Sequence, residues 1–371
     1  MSTTVADPSS AVQAMSPDWD VAAALLGGTR AMRTAAQKYL PKWPNEDDKA
    51  YQCRLQTAVL FPAYGRTVST LTGKPFSKPL TYADDVPEQI KAWLQDDADL
   101  QGRSLDVFAA DVMESALGYG VCGILVDVPA TAGVATRTDG VMTMAEEQAA
   151  GIRPYLIHIQ PQQILGWRSA RLNGNWVLTQ LRLMETVEVD DPEGFGSVEI
   201  AQVRVLEPGA WQTYRKDDKN NWVLFAEGTT SLDFIPYVPV YGSRTGFMTA
   251  TPPLLEVANL NVAHWQSASD QQTILHIARV PILTVIGIDD DKFTLTVGGS
   301  AVVKLPVGAD MKFVEHTGHA IQAGADDLES LEERMRQAGA ELLVMRPGKI
   351  TATQVATENA VGMSALHRFT Q

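Results

Sequence analysis

Few residues in this chain are spaced to do chemistry, and each candidate has a simpler reading. Gly118-Tyr119-Gly120-Val121-Cys122-Gly123 matches GxGxxG. A dinucleotide fingerprint needs strand, glycines, then helix, so that the helix N-terminus faces a pyrophosphate. Here the order is helix, glycines, strand, which reads as a helix stop. His316 and His319 could bring two imidazoles together, but apart from Glu315 nothing nearby adds a ligand, and zinc needs three or four. Asp289-Asp290-Asp291 lacks the alternating acids and distal Glu of a calcium loop and reads as a charged turn. His264 and His276 lie in a long helical stretch without a nucleophile elbow, an HExxH or a P-loop in the chain. The pairs Asp84-Asp85 and Asp96-Asp97 point apart as sequence neighbours and read as solvated surface. The expectation is a protein that is not an enzyme and carries no cofactor and no metal.

Composition bounds the rest. The chain has 371 residues, 45% apolar and 20% charged, with a formal net charge of −14. That is too long for one small core and too apolar for wholesale disorder. Tight phosphate binding over the whole surface is disfavoured by the negative balance. Cys53 and Cys122 are the two cysteines, too few for a disulfide framework and without zinc spacing. No signal peptide and no stretch of about 18 apolar residues is read, so a soluble, intracellular protein without a membrane partner is expected.

The elements that would position any site change character along the chain. Residues 1–17 are small, polar and proline-containing and read as a mobile tail. A helix is expected over Asp18–Leu40, interrupted near Gly27-Gly28. A second is expected from an Asn45 cap to Thr72, kinked at Pro62. Leu105, Phe108, Ala109, Val112, Met113 and Ala116 form one apolar helical face over Ser104–Leu117. A buried strand Val121–Val128 follows, then a loop with a short helix at Met142–Ala150. From Pro154 to Tyr241 alternation gives an antiparallel β region, with turns at Asn173-Gly174 and Asp217–Asn221.

After Pro252-Pro253 the signal becomes strongly helical. No Gly or Pro interrupts the chain until Pro281, and the formal charges of that run are Glu256, Asp270 and Arg279. A helix so weakly charged on every face must be covered on several sides, and neighbouring copies could do so. Trp265 and Ile274 are its expected packing residues. Short strands and turns follow to residue 324. A helix is then expected from Asp326, with Glu329 completing a capping box. Leu328, Leu331, Met335, Ala338 and Leu342 are spaced 3, 4, 3, 4, a helix-packing seam. Arg346-Pro347-Gly348-Lys349 breaks it, and Thr353–Gln371 is helical again. The fold class expected is α+β.

The order long helix, small β insert, seamed helix, loop, helix resembles the central part of the portal proteins of tailed bacteriophages. The phrases YLPKWPNEDDKAYQCRL, RTVSTLTGKPF, SLDVFAADVMESALGYGVCGILVDVP, RPYLIHIQPQQILGW and PPLLEVANLNVAHWQSASDQQTILHIARVPILTVIG are similar to a portal-like phage family long catalogued as a domain of unknown function. The resemblance implies a wing over residues 18–250, a first stem helix and wing extension over 251–280, and a clip over 281–324. It further implies a second stem helix over 325–344, a channel loop over 345–352, and the start of a crown-side helix over 353–371.

By the same resemblance the chain would form a homo-oligomeric ring, usually of twelve copies, at one vertex of a virion capsid after assembly in the host cytoplasm. Its partners would be terminase, the major capsid protein, head-completion and tail adaptor proteins, and double-stranded DNA passing through the channel. Arg346 and Lys349 would face that DNA from the channel loop, in an otherwise acidic ring that phosphate does not stick to. The rival readings are another oligomeric head–tail connector component, or a soluble enzyme with a scattered site.

Overall fold

A computed structural model of the chain describes residues 4–129, 150–191, 194–279, 282–286, 310–314 and 319–340. It mixes helices with antiparallel sheets, the α+β class expected from the sequence.

The N-terminal segment is not a free tail. Helix α1 spans Ser10–Leu26, and the Ser9 hydroxyl caps it by accepting from the Val12 N–H. Pro17 sits inside this helix, where its missing N–H would orphan the Gln13 carbonyl. The Ser16 hydroxyl donates to that carbonyl at 3.2 Å, which lets the helix run through the proline. Val12, Met15 and Trp19 are buried. Ahead of the helix, Arg182 donates to the Val5 and Asp7 carbonyls, and the Ser9 N–H donates to Leu165.

The break near Gly27-Gly28 occurs as expected: Gly28, at φ +70°, opens α2 (Gly28–Ala35). The expected helix from Asn45 to Thr72 is two helices, α3 (Asp48–Thr57) and α4 (Ala63–Gly73). Its cap is Asp47, not Asn45: the Asp47 carboxylate accepts from the Lys49 and Ala50 N–H groups at 2.8 and 2.9 Å. Helices α5 (Glu88–Asp96) and α6 (Leu105–Tyr119) follow, then strand β1 (Val121–Asp127). Gly120 ends α6 at φ +88° and donates to the Ala116 carbonyl. A Cβ there would stand 2.4 Å from the Thr251 backbone, so the glycine serves packing and no phosphate-binding loop forms.

Strand β1 is central in a three-stranded antiparallel sheet. The flanking strands are β2 (Tyr155–Ile159) and β8 (Tyr237–Tyr241). Between them in sequence lies a five-stranded meander: β3 (Ile164–Leu172), β4 (Asn175–Asp190), β5 (Ser197–Glu207), β6 (Ala210–Lys216) and β7 (Trp222–Thr229). Asn173 and Gly174 take φ +51° and +85° at the β3–β4 hairpin. At the β6–β7 turn the Asp217 carboxylate accepts from the Lys219 and Asn221 N–H groups. The small hairpin β9 (Ser243–Gly246) and β10 (Thr249–Thr251) then leads into α7 (Leu255–Ala278).

Strand β11 (Ile282–Ile286) pairs antiparallel with β12 (Asp310–Val314), and α8 (His319–Met335) follows, closed by a π turn over Arg336–Ala340. Helix α8 thus begins seven residues before the expected Asp326, inside the segment assigned to the clip. Gly324 does not interrupt it but is a contact point with α7, where a Cβ would meet the Gln271 side-chain oxygen at 2.0 Å. The short helix expected at 142–150, apart from its last residue Ala150, and Asp289–Asp291, His316 and everything from residue 341 onward lie outside the described residues.

Candidate functional site

The most organised feature is the antiparallel pair α7 and α8. Its direction follows from three cross-contacts. The Gln271 side-chain amide donates to the Ile321 carbonyl at 2.8 Å, His264 Nε2 lies 3.6 Å from a Glu332 carboxylate oxygen, and Gly339 abuts Leu254. Positions advance on α7 as they retreat on α8.

Of the seam residues, Leu328, Leu331 and Met335 lie on α8 and Ala338 in the turn that closes it. Leu331 and Met335 are buried and share one core with Leu254, Val257, Ala258 and Trp265, and Ala338 packs against it half-buried. Trp265 is fully enclosed. Leu328 and Ile274 are half-buried. Leu342, Arg346 and Lys349 lie outside the described residues.

The long helix was expected to need cover on several sides, which neighbouring copies could supply. Over Leu254–Trp265 the cover is intramolecular, from α1, α3, α4 and α8. Three neutral amide side chains fasten it. Asn261 accepts from the Tyr64 N–H at 3.0 Å and donates to the Phe61 carbonyl at 2.8 Å. Gln266 donates to the Tyr39 carbonyl, and Gln271 reaches α8 as above. Gln272, His276 and Arg279, nearer the C-terminus of the helix, are exposed. Sequence reading missed these fasteners. The available signal was the run of Asn, Gln, Ser and Thr on a helix almost free of charge.

Two electrostatic features brace the pair. His264 is buried against the Phe61 ring, with centroids 5.2 Å apart, and burial pushes its pKa below the ordinary value although Glu332 and Asp327 pull the other way. On the other flank Arg54 forks onto Glu46 with two 2.8 Å bonds, donates to the Pro41 carbonyl, and lies 3.6 Å from Asp270 of α7. Its guanidinium also stacks 4.3 Å from the Trp43 ring. The bond from Arg54 holds the Glu46 carboxyl below its usual range.

No catalytic constellation assembles among the described residues. A cleft of about 1040 Å³ between α1, α4 and α6 contains Arg103, Asp111, Ser115, His158 and Gln160. Some of its polar groups are committed: Arg103 bridges Asp111 and the neighbouring Asp99, and the Ser115 hydroxyl donates to Gln160. The Cys122 thiol is buried and its pKa pushed up to about 12, the opposite of a nucleophile. Asp97 pairs with Arg153 and with the Gly102 N–H, a structural role. No cluster of metal-ligating side chains and no helix long and apolar enough to cross a membrane occurs among the described residues.

Against known proteins, residues 253–371 match a domain of unknown function, DUF4055, which spans the helix pair and all that follows it. No curated protein matches. Among solved structures, the neck of an empty gene transfer agent (GTA) particle with C6 symmetry is similar at 13% identity and a TM-score of 0.43, covering 83% of this chain and 72% of that one. The neck of a native GTA particle with C12 symmetry gives 13% identity and 0.41, covering 91% and 80%. The virion of the native GTA particle gives 11% identity and 0.42, covering 90% and 86%.

Proposed function

We propose that this chain is a non-enzymatic structural subunit of a head–tail connector, a portal that forms a closed ring at one capsid vertex and passes double-stranded DNA. One observation carries the reading. Two long antiparallel helices are rooted in a folded body by Trp265, Leu331 and Met335 and joined at their far end through the β11–β12 ladder. That is the stem-and-clip order which the phage portal resemblance implies. The body, residues 18–250 by that resemblance, would be the wing, now with α1 and the preceding segment folded onto it.

Within this reading the segment between the two helices is the clip, trimmed at its C-terminal side to end before His319. The residues after the helix pair supply the channel loop with Arg346 and Lys349, then the crown-side helix. Terminase, the major capsid protein and head-completion or tail proteins are the partners such a ring would meet. Electron microscopy of the purified chain tests the proposal. Rings with a central hole are the expected result. A monodisperse monomer at every concentration, with or without capsid protein, would refute it.

A further inference from the structure

Several sheet edges of this chain are guarded. On β2 the Leu156 N–H donates to the Ala98 carbonyl, and on β3 the Leu165 carbonyl accepts from the Ser9 N–H. On β8, Pro239 leaves the outer edge without a donor at its middle. Such devices keep strand edges from pairing with other chains. The meander, however, has an open stretch on each side. Strand β3 pairs with β4 only as far as Leu183, so the outer edge of β4 from there to Asp190 faces no strand. On the opposite side the sheet ends in β7, whose outer edge pairs with no strand among the described residues.

The turns show which backbone groups these edges offer. The Asp191 N–H donates to the Gly196 carbonyl, and bonded pairs alternate along an antiparallel ladder, so Thr186 and Glu188 aim their N–H and C=O groups outward. The Asp217 N–H donates to the Asn221 carbonyl, so on β7 Trp222 and Leu224 aim outward. Strands β4 and β7 run antiparallel, because each neighbouring pair between them does. Two copies set edge to edge by rotation about an axis along the strands keep that sense. Trp222 then stands opposite Glu188, Val223 opposite Val187, and Leu224 opposite Thr186. The bulge that leaves Phe225 without a partner on β6 ends the straight edge at Leu224.

The side chains agree with this register. Glu185, Gln202, Arg215 and Val223 form one cross-strand row, so Val187, two residues from Glu185, shares a sheet face with Val223. Val223 is 43% exposed, and Val187 would cover it. On the other face Glu188, which accepts from the Ser197 hydroxyl, stands opposite Glu199, and like charges directly opposite weaken a strand pair. Lys216 stands opposite Trp222 and lies 5.5 Å from the centre of its ring. None of Glu188, Glu199 and Lys216 forms an ion pair among the described residues. The register brings Glu188 of one copy beside the Trp222 ring that Lys216 of the other covers.

We propose that β7 of one copy adds to the free edge of β4 in a second copy of this chain, Trp222–Leu224 against Thr186–Glu188. The two edges lie on opposite sides of the meander, so the contact is heterologous, and repetition closes a ring when the rotation permits. This inference rests on the ring reading above and names one of its subunit contacts.

The test places cysteines in the full chain, in a Cys53→Ser background that removes the exposed native thiol. Residues directly opposite without exchanged backbone bonds have Cα atoms about 4.5 Å apart, a span that a disulfide bridges. Val187→Cys with Val223→Cys, oxidised in assembled rings, should shift the monomer band on a non-reducing gel into a ladder of multimers. Either change alone should leave monomer, and the two single variants mixed should stop at dimers. Val198→Cys with Val223→Cys is the control, because the exposed Val198 edge of β5 lies on the same side of the meander as β7. Rings without a ladder from the Val187 and Val223 pair, or an equal ladder from the control, would overturn the strand addition and leave the ring reading standing. A wild type that never assembles would sink both.

Discussion

Replacing Leu331 by Asp probes the α7–α8 core most directly. Leu331 is 6% exposed and packs in the cluster that contains Trp265 and Met335. Losing the leucine forfeits about 2–3 kcal/mol of apolar burial, and the hollow left behind adds to this. The new carboxylate would be nearly enclosed without a cation, which brings the total to about 4–5 kcal/mol at neutral pH. Burial raises the folded pKa of such a group above its unfolded value of about 3.9. The extra penalty over Leu331→Ala is therefore absent below about pH 4 and grows as pH rises through the unfolded and then the folded pKa. Because the contact lies within one chain, the loss must appear in the urea midpoint of the isolated subunit, before any ring forms. Glu333→Gln is the control: it removes a half-exposed pair with Arg336, worth at most about 1 kcal/mol. An Asp variant whose midpoint matches Leu331→Ala at pH 7, or lies within about 1 kcal/mol of the wild type, would refute the reasoning.

Other consequences can be measured separately. Arg54→Ala strands the buried Glu46 carboxylate and should cost about 3–5 kcal/mol in urea unfolding at pH 7. In the wild type the depressed Glu46 pKa adds stability above about pH 4.3 that fades as pH falls through the folded value, so Arg54→Ala should flatten that acid limb. His264 acts in the same direction at higher pH. With its folded pKa depressed, stability should decline as pH drops below about 6.5, and His264→Phe should remove that slope from thermal melts taken between pH 7 and 5. Gly339 sits at φ +125°, and its Cβ position is 3.3 Å from Leu254, so Gly339→Ala should lower stability by about 1–3 kcal/mol in the same melts. Under the portal reading, Arg346→Ala with Lys349→Ala should leave rings intact and reduce DNA packaging; packaging at full rate and length would exclude a guiding role for the two cations.

What the sequence made legible were features with local causes. The glycine stop after α6, expected just past Leu117 and found two residues later at Gly120, the Asn173-Gly174 hairpin, the Asp217 turn and the Leu331–Met335–Ala338 spacing each follow from a few adjacent residues. The misreadings came where a distant partner decided. Pro17 looked like the edge of a tail, but the Ser16 hydroxyl and the sheet beneath Val12 and Met15 let the helix begin at Ser10. Asn45 looked like the better cap, yet Asp47 takes that role beside Glu46, whose carboxylate is committed to Arg54. The strands and turns expected to run to residue 324 give way to α8 at His319, and Gly324 lies inside it as a close approach to Gln271. The bolts at Asn261 and Gln266 bind backbone carbonyls and an N–H more than 190 positions away in sequence, which no window of residues can display.

Those bolts have a bearing on the surroundings in which the helix pair would hold. Asn261, Gln266 and Gln271 fasten α7 through uncharged amides, and Trp265 through apolar contact. Mobile ions shorten the reach of charge to roughly 3 Å at 1 M, so exposed ion pairs fade in concentrated electrolyte. Amide bonds and buried rings have no such dependence. The root of the helix pair should therefore keep its grip across wide swings in ionic strength, while contacts built on exposed charge loosen and re-form around it.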